Sequence, residues 1–178
     1  MSPLDEVVRL AATRGLDVLV CGGHAVNAYQ VIRKTGDLDL VVRERHVPEW
    51  RAQLVALGYG VFHEDPAFLQ LGPPTATGWP IDLVVVDDGT FDALKRAARP
   101  FTFGGVTCLI PSIEHLIAMK LHALRFSGET RMRKDGVDIV ELAEANGIDI
   151  LGDAFRSLCD RFADARVYER ILLYAGKR

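Results

Sequence analysis

Arg33-Lys34-Thr35-Gly36-Asp37-Leu38-Asp39 runs directly into Leu40-Val41-Val42. Its apolar part reads as a strand over residues 37–42. Strand side chains alternate between faces, so Asp37 and Asp39 project one way while Leu38 and Leu40 point the other way, into a core. Aspartate is depleted in strands, and two parallel carboxylates repel each other unless a cation lies between them. Hard oxygen ligands on one face suit Mg²⁺ or Mn²⁺ rather than zinc. Taken alone, the two acids fit a solvated strand end equally well. The segments on either side give them a context.

Upstream, Asp17-Val18-Leu19-Val20-Cys21 reads as a short buried strand, and Gly22-Gly23 turns it into a helix over 24–33 with Ala25, Val26, Ala28, Tyr29 and Ile32 inward. Glycine lets a ligand approach the backbone, and a helix start offers free N–H groups, a geometry that holds phosphate. A plain tight turn needs the same two glycines. Downstream, Ile81-Asp82-Leu83-Val84-Val85-Val86 is a strand whose one acid is Asp82. If the two acid-bearing strands are neighbours, Asp37, Asp39 and Asp82 meet at one sheet end. Such a trio can hold two metals for in-line displacement at phosphorus. Asp82 is then placed to take the proton of an acceptor hydroxyl. By itself Asp82 is equally a strand-start acid paired with Arg or Lys.

Working outward, residues 3–14 form a helix, and Pro48 opens another that runs to Leu57 and stops at Gly58. One or two strands lie in 59–71, a turn or loop in 72–78, a helix near 91–98 and a strand near 106–110. Ser112 caps the next helix, 113–124, and residues 133–145, 150–161 and 164–174 are helical by period. The expected fold class is α+β: a mixed sheet flanked by helices over 1–110, with a helical C-terminal portion, 111–178, packed on it.

Within the helical half, Lys120 interrupts the apolar stripe of Ile113, Ile117, Leu121 and Leu124. It is there either to snorkel to solvent or to reach phosphate oxygens. Arg131, Arg133 and Lys134 surround a helix start bearing Asp135 and Asp138, which share a face. Acids in a first helical turn also complement the helix dipole. Glu64, Asp65, Asp87 and Asp88 are candidates for an acidic pocket that takes a cationic acceptor, or are surface acids. A short connection rich in Gly and Arg sets the Lys120 helix antiparallel to the Asp138 helix, where a Lys120–Asp138 pair would hold the lysine toward a triphosphate.

The chain has 178 residues, with 49% hydrophobic and 25% charged residues and a net charge of −3. That balance excludes a molecule-wide electrostatic footprint for nucleic acid and leaves only a local basic patch. The N-terminal residues do not read as a signal peptide, and no apolar run is long enough to span a membrane. Cys21, Cys108 and Cys159 lack metal-ligand spacing and lie in apolar surroundings, which fits reduced thiols in the cytoplasm.

The pattern Gly22-Gly23, helix, Asp37-x-Asp39 on the next strand and Asp82 on a later one resembles the nucleotidyltransferase superfamily with the DNA polymerase beta-like fold. The form Arg33-x-Thr35-x-Asp37-x-Asp39, with Lys120 and then Lys134-Asp135-Gly136-Val137-Asp138, is most similar to the AbiEii-type toxin nucleotidyltransferases. The resemblance covers roughly residues 18–142. It departs in a shorter helical C-terminal portion and in Gly23, where a serine is usual. It implies Asp37, Asp39 and Asp82 as metal ligands and catalytic acids with Lys120. It also implies Gly22, Gly23, Arg33, Thr35, Lys134 and Asp138 as nucleotide-binding residues. The expected chemistry uses Mg²⁺ or Mn²⁺ and a nucleoside triphosphate donor, and moves a nucleoside monophosphate to a tRNA end, a protein hydroxyl or a small molecule such as an aminoglycoside. A toxin role with a cognate antitoxin follows from the same likeness. The alternatives are a non-catalytic nucleotide- or partner-binding member of the fold and a small-molecule, aminoglycoside-type nucleotidyltransferase.

Overall fold

The computed structural model describes residues 2–126 and 131–177. The chain forms two compact units, Met1–Ala25 with Lys34–Ser112, and Val26–Arg33 with Ile113–Arg178. The first unit contains strands β1 (Leu19–Val20), β2 (Leu38–Arg43), β3 (Gly60–Glu64), β4 (Phe68–Gly72) and β5 (Ile81–Val86). They make one five-stranded sheet in the order β1-β2-β5-β4-β3. Only the β2–β5 pair is parallel, so the sheet is mixed. Leu38, Leu40, Leu69, Leu71, Ile81 and Leu83 share one face through their register and are fully buried. Burying each such side chain contributes roughly 1.5–3 kcal/mol, which makes this face the core of the unit.

Local signals explain the helices around the sheet. Helix α1 (Pro3–Arg14) starts with a capping box in which the Asp5 N–H donates to Ser2 Oγ and the Ser2 N–H donates to the Asp5 carboxylate. Helix α3 (Val47–Ala56) carries Pro48 in its first turn and buries Trp50 and Leu54. Helix α4 (Asp88–Ala97) is capped by Asp87, whose carboxylate accepts the Thr90 N–H at 2.9 Å, and buries Phe91 and Leu94. A second, two-stranded sheet pairs β6 (Arg99–Phe103) with β7 (Val106–Ile110). Strand β6 is absent from the sequence reading, because Arg99 and Pro100 mask the alternation that Phe101 and Phe103 begin.

Helix α2 (Gly22–Ala28) is shorter than the expected 24–33. The Asn27 side chain brackets the Arg33 backbone, donating to its carbonyl at 3.1 Å and accepting its N–H at 3.0 Å. Gln30 takes a left-handed conformation at φ 67° to make that turn. Ile32 therefore does not face inward and is 98% exposed. Residues 26–33 go with the helical unit, an exchange that a single boundary near residue 110 does not anticipate.

The second unit contains α5 (Ile113–Arg125), a π-helical turn (Met132–Gly136), α6 (Val137–Ala145), α7 (Asp153–Phe162) and α8 (Ala165–Tyr174). Its core is apolar, with Leu116, Leu121, Ile139, Leu142, Cys159 and Ile171 buried. The connection expected between α5 and α6 includes residues 127–130, which lie outside the described residues. Among the described residues no helix is long and apolar enough to cross a membrane.

Candidate active site

In the first unit the parallel register sets Asp39 directly beside Asp82. Their strand neighbours Leu38, Leu40, Ile81 and Leu83 point into the core, so alternation sends both carboxylates to the other face. Both acids are half-buried. The Cys21 N–H donates to the Asp39 carbonyl at 2.9 Å and ties the end of β1 to β2. Gly22 follows at φ +55°, and a Cβ there would fall 1.7 Å from Asp39 Oδ2. The glycine is therefore bare because the Asp39 carboxylate fills the space.

Asp37 lies just ahead of β2 rather than inside it. The Thr35 hydroxyl donates to Asp37 Oδ1 at 2.8 Å. Asp37 also acts on His24, in the first turn of α2. Burial pushes the His24 imidazole below its ordinary value, and the Asp37 charge pulls the other way without overcoming it. Asp37 and Asp39 thus both bear on the start of α2, one through His24 and the other through Gly22. Among the described residues no three His, Cys, Asp or Glu side chains are gathered into a metal-holding group. The trio expected from sequence appears as the Asp39–Asp82 register pair with Asp37 turned to Thr35. The donor chemistry of the pair, two carboxylates on one face, fits a hard divalent cation.

In the second unit the Lys120 ammonium donates to Asp135 Oδ1 at 2.7 Å and to Asp138 Oδ2 at 2.6 Å. Arg33 also bonds Asp138, and Arg131 bonds Asp135 at 2.8 Å. Lys120, Asp135 and Asp138 are 8%, 5% and 4% exposed, so the cluster is interior. Burial alone would raise the Asp135 pKa, but Lys120 and Arg131 outweigh it and hold the carboxyl below its ordinary value. The interruption in the apolar stripe of α5 is thus matched by two acids of the chain itself. Lys134 is exposed.

Two features escaped the sequence reading. Arg43, buried at the far end of β2, bonds Asp17, Asp88 and Asp92 and lies 4.4 Å over the Phe91 ring. Its signal is a charged residue closing an apolar strand. The other is an aromatic group, with the His24 ring 5.1 Å from Trp79 and 5.6 Å from Phe103.

The four acids considered for a cationic pocket have other duties. Asp88 pairs with Arg43 and Arg45, Asp87 caps α4, Asp65 accepts the Ala67 and Phe68 N–H groups, and Glu64 lies 3.5 Å from Arg51. Asp87 and Asp88 nevertheless line one pocket of about 550 Å³ together with Glu44, Arg45 and Pro48, whereas Glu64 and Asp65 are not part of its lining.

No protein-family model matches the sequence, and neither does any curated protein. Solved structures do match. The chain is similar to ANT(2")-Ia in complex with adenylyl-2"-tobramycin, with a TM-score of 0.65 and 17% identity over 89% of this chain and 94% of that one. The solution structure of ANT(2'')-Ia, an antibiotic-resistance factor, gives a TM-score of 0.62 and 19% identity over 86% and 89%. The lincosamide antibiotic adenylyltransferase LnuA, bound to lincomycin, gives 0.57 and 18% over 80% and 96%. Likeness at this level of identity is likeness of fold, and the chain has the nucleotidyltransferase fold.

Proposed function

We propose that this protein is a metal-dependent nucleotidyltransferase that moves a nucleoside monophosphate from a nucleoside triphosphate to an acceptor hydroxyl. The observation that carries the reading is the Asp39–Asp82 register pair on neighbouring parallel strands, with the Gly22 backbone against Asp39. In this reading Asp37, Asp39 and Asp82 hold Mg²⁺ or Mn²⁺, which supplies charge neutralisation for the triphosphate when bound. Gly22 and Gly23 present bare backbone to the donor phosphates. The acceptor oxygen attacks the α-phosphorus, and the bond to the β-phosphate oxygen breaks. Pyrophosphate leaves, and the acceptor proton passes to Asp82.

The acceptor is a small hydroxylated molecule. Two neighbours of this fold are ANT(2")-Ia, seen with adenylyl-2"-tobramycin, and the lincosamide antibiotic adenylyltransferase LnuA, bound to lincomycin. A second reading takes a tRNA end or a protein as acceptor, in a toxin with a cognate antitoxin. It is favoured by the ionic network that joins Arg33, Lys120, Asp135 and Asp138, the residues of the toxin-like motif. In that reading Arg33, Thr35, Lys134 and Asp138 serve nucleotide binding, and Lys120 assists catalysis. The three cysteines are buried and unbridged, which suits the cytoplasm.

The test incubates the protein with Mg²⁺, each α-labelled nucleoside triphosphate, and tobramycin, lincomycin, total tRNA or total cellular protein. Label in one acceptor, lost in Asp39→Asn and Asp82→Asn, is the expected result. Nucleotide binding that is indifferent to Mg²⁺ and Mn²⁺, with no label in any fraction, returns the chain to a non-catalytic binding member.

A further inference from the structure

We propose that His24, Trp79 and Phe103 form the seat for the base of the donor nucleotide. The inference rests on the nucleotidyltransferase reading and adds to it the part of the donor that the acids and glycines leave unrecognised.

The imidazole of His24 packs against Trp79 with the ring planes tilted by 34° and meets Phe103 edge-on at 83°. Phe103 continues to Phe101, with ring centroids 4.6 Å apart. Trp79, Phe101 and Phe103 are half-buried, so part of their aromatic surface stays open. His24 itself is 8% exposed, and its Nε2 is buried with no hydrogen-bond partner among the described residues. Buried polar atoms are almost always paired, so an unpaired ring nitrogen inside an aromatic group calls for a partner. The combination asks for a ligand with a flat apolar face and a polar edge. A heterocyclic base has both. Its face stacks on aromatic side chains, and its edge carries ring nitrogens and exocyclic groups.

Position favours the donor over the acceptor. His24 follows directly on Gly22-Gly23, the turn given to the donor phosphates, and lies in the field of Asp37. The unpaired nitrogen is a hydrogen-bonding feature that stacking alone does not use, and it gives the seat a means of telling one base edge from another.

The chain offers its own probe. It has two tryptophans. Trp50 is fully buried, and Trp79 is half-buried in the aromatic group. ATP and GTP are titrated with Mg²⁺ while tryptophan emission is followed, beside inorganic tripolyphosphate, and calorimetry measures binding independently. We expect saturable quenching by a nucleoside triphosphate at its calorimetric midpoint, and none by tripolyphosphate. Trp79→Ala should raise the Kd for the nucleotide roughly tenfold, the lower part of what a lost base stack costs, with tripolyphosphate unaffected. Trp79→Phe should keep the affinity within about twofold while losing the quench. Should Trp79→Ala fail to fold, Phe103→Ala takes its place in the same comparison. Equal quenching by tripolyphosphate, or an unchanged nucleotide Kd in Trp79→Ala, overturns the proposal. So does a variant that changes only the acceptor KM in the label-transfer assay, since the ring would then belong to the acceptor. If calorimetry shows no nucleotide binding by the wild type, the nucleotidyltransferase reading fails first and this inference with it.

Discussion

Lys120→Met removes the central cation from a cluster in which Asp135 and Asp138 are 5% and 4% exposed. Breaking a buried pair by removing one partner costs about 3–5 kcal/mol, because the remaining charge is left desolvated. Here each acid keeps a second cation. Asp138 keeps Arg33, whose side chain is 19% exposed, and Asp135 keeps Arg131, which is 53% exposed and screened by solvent. The loss therefore falls at the low end, about 3 kcal/mol. For a chain of this size that corresponds to a Tm lowered by about 6–12 °C. The pH dependence follows from Asp135, whose folded pKa is held below its ordinary value by Lys120 and Arg131. Its stabilising contribution is complete above the unfolded value and is lost as pH falls through the lower folded value. The gap between wild type and variant should thus be widest at pH 7 and narrower at pH 3. Urea unfolding followed by far-UV circular dichroism at both pH values measures this. Adding Asp135→Asn and Asp138→Asn should recover part of the loss, since a cluster removed whole costs less than one left half-charged. Wild-type stability in Lys120→Met at pH 7, together with lost triphosphate use, would refute the reasoning and make the lysine a phosphate ligand instead.

Asp39→Asn is expected to abolish label transfer while leaving the metal-free Tm equal or higher, since it removes one of two neighbouring like charges; a variant that unfolds shows the residue to be structural. Gly22→Ala forces a side chain into a left-handed position, worth about 1–2 kcal/mol, and also into the Asp39 carboxylate. Its Tm should fall, and Gly22→Ala with Asp39→Ala should fall less, because the carboxylate contact is gone while the backbone share and the 2.6 Å approach of the Asp39 Cβ remain; equal losses would show that the carboxylate does not limit the site. Arg43→Met leaves Asp17, Asp88 and Asp92 without their shared buried cation and should cost about 3 kcal/mol by urea unfolding, discounted because Asp88 and Asp92 are half-exposed. A loss under about 1 kcal/mol would mean that solvent already satisfies the three acids.

What the sequence made legible differs from one residue to the next. Lys120 was readable as a cation in need of a partner, because a charge inside an apolar helical stripe has to be compensated. The antiparallel helices already pointed to Asp138, and that bond is present, but the second partner, Asp135, is carried by the π-helical turn. No local period reports that. Gly22 was readable as a place where the backbone must be bare, and the side chain that requires it is Asp39, which no spacing names. Helix α2 was read too long because its stop is made by the Asn27 side chain reaching to Arg33. Ordinary stop signals, a glycine or a proline, are missing there. His24 and Trp79 gave only a weak signal, since an aromatic contact between a helix start and a strand approach leaves no spacing to read.

The acid pair is the opposite case, and its legibility has a physical cause. Leu38-Asp39-Leu40 and Ile81-Asp82-Leu83 are the same pattern, an acid between two core residues. Once β2 and β5 lie side by side, the four apolar residues must all face the core. A slip of one residue would put Leu38, Leu40 or Ile81, Leu83 into solvent and drive a carboxylate inward. The observed register, Leu38 with Ile81 and Leu40 with Leu83, keeps the apolar set buried and leaves Asp39 opposite Asp82. The pairing of the two acids is therefore held by the packing behind them. Mutual attraction cannot hold it, since like charges repel. A chain that buried these leucines in this register would carry the acid pair whatever occupied the rest of the site. That is why the strands announce the site more clearly than any residue that surrounds it.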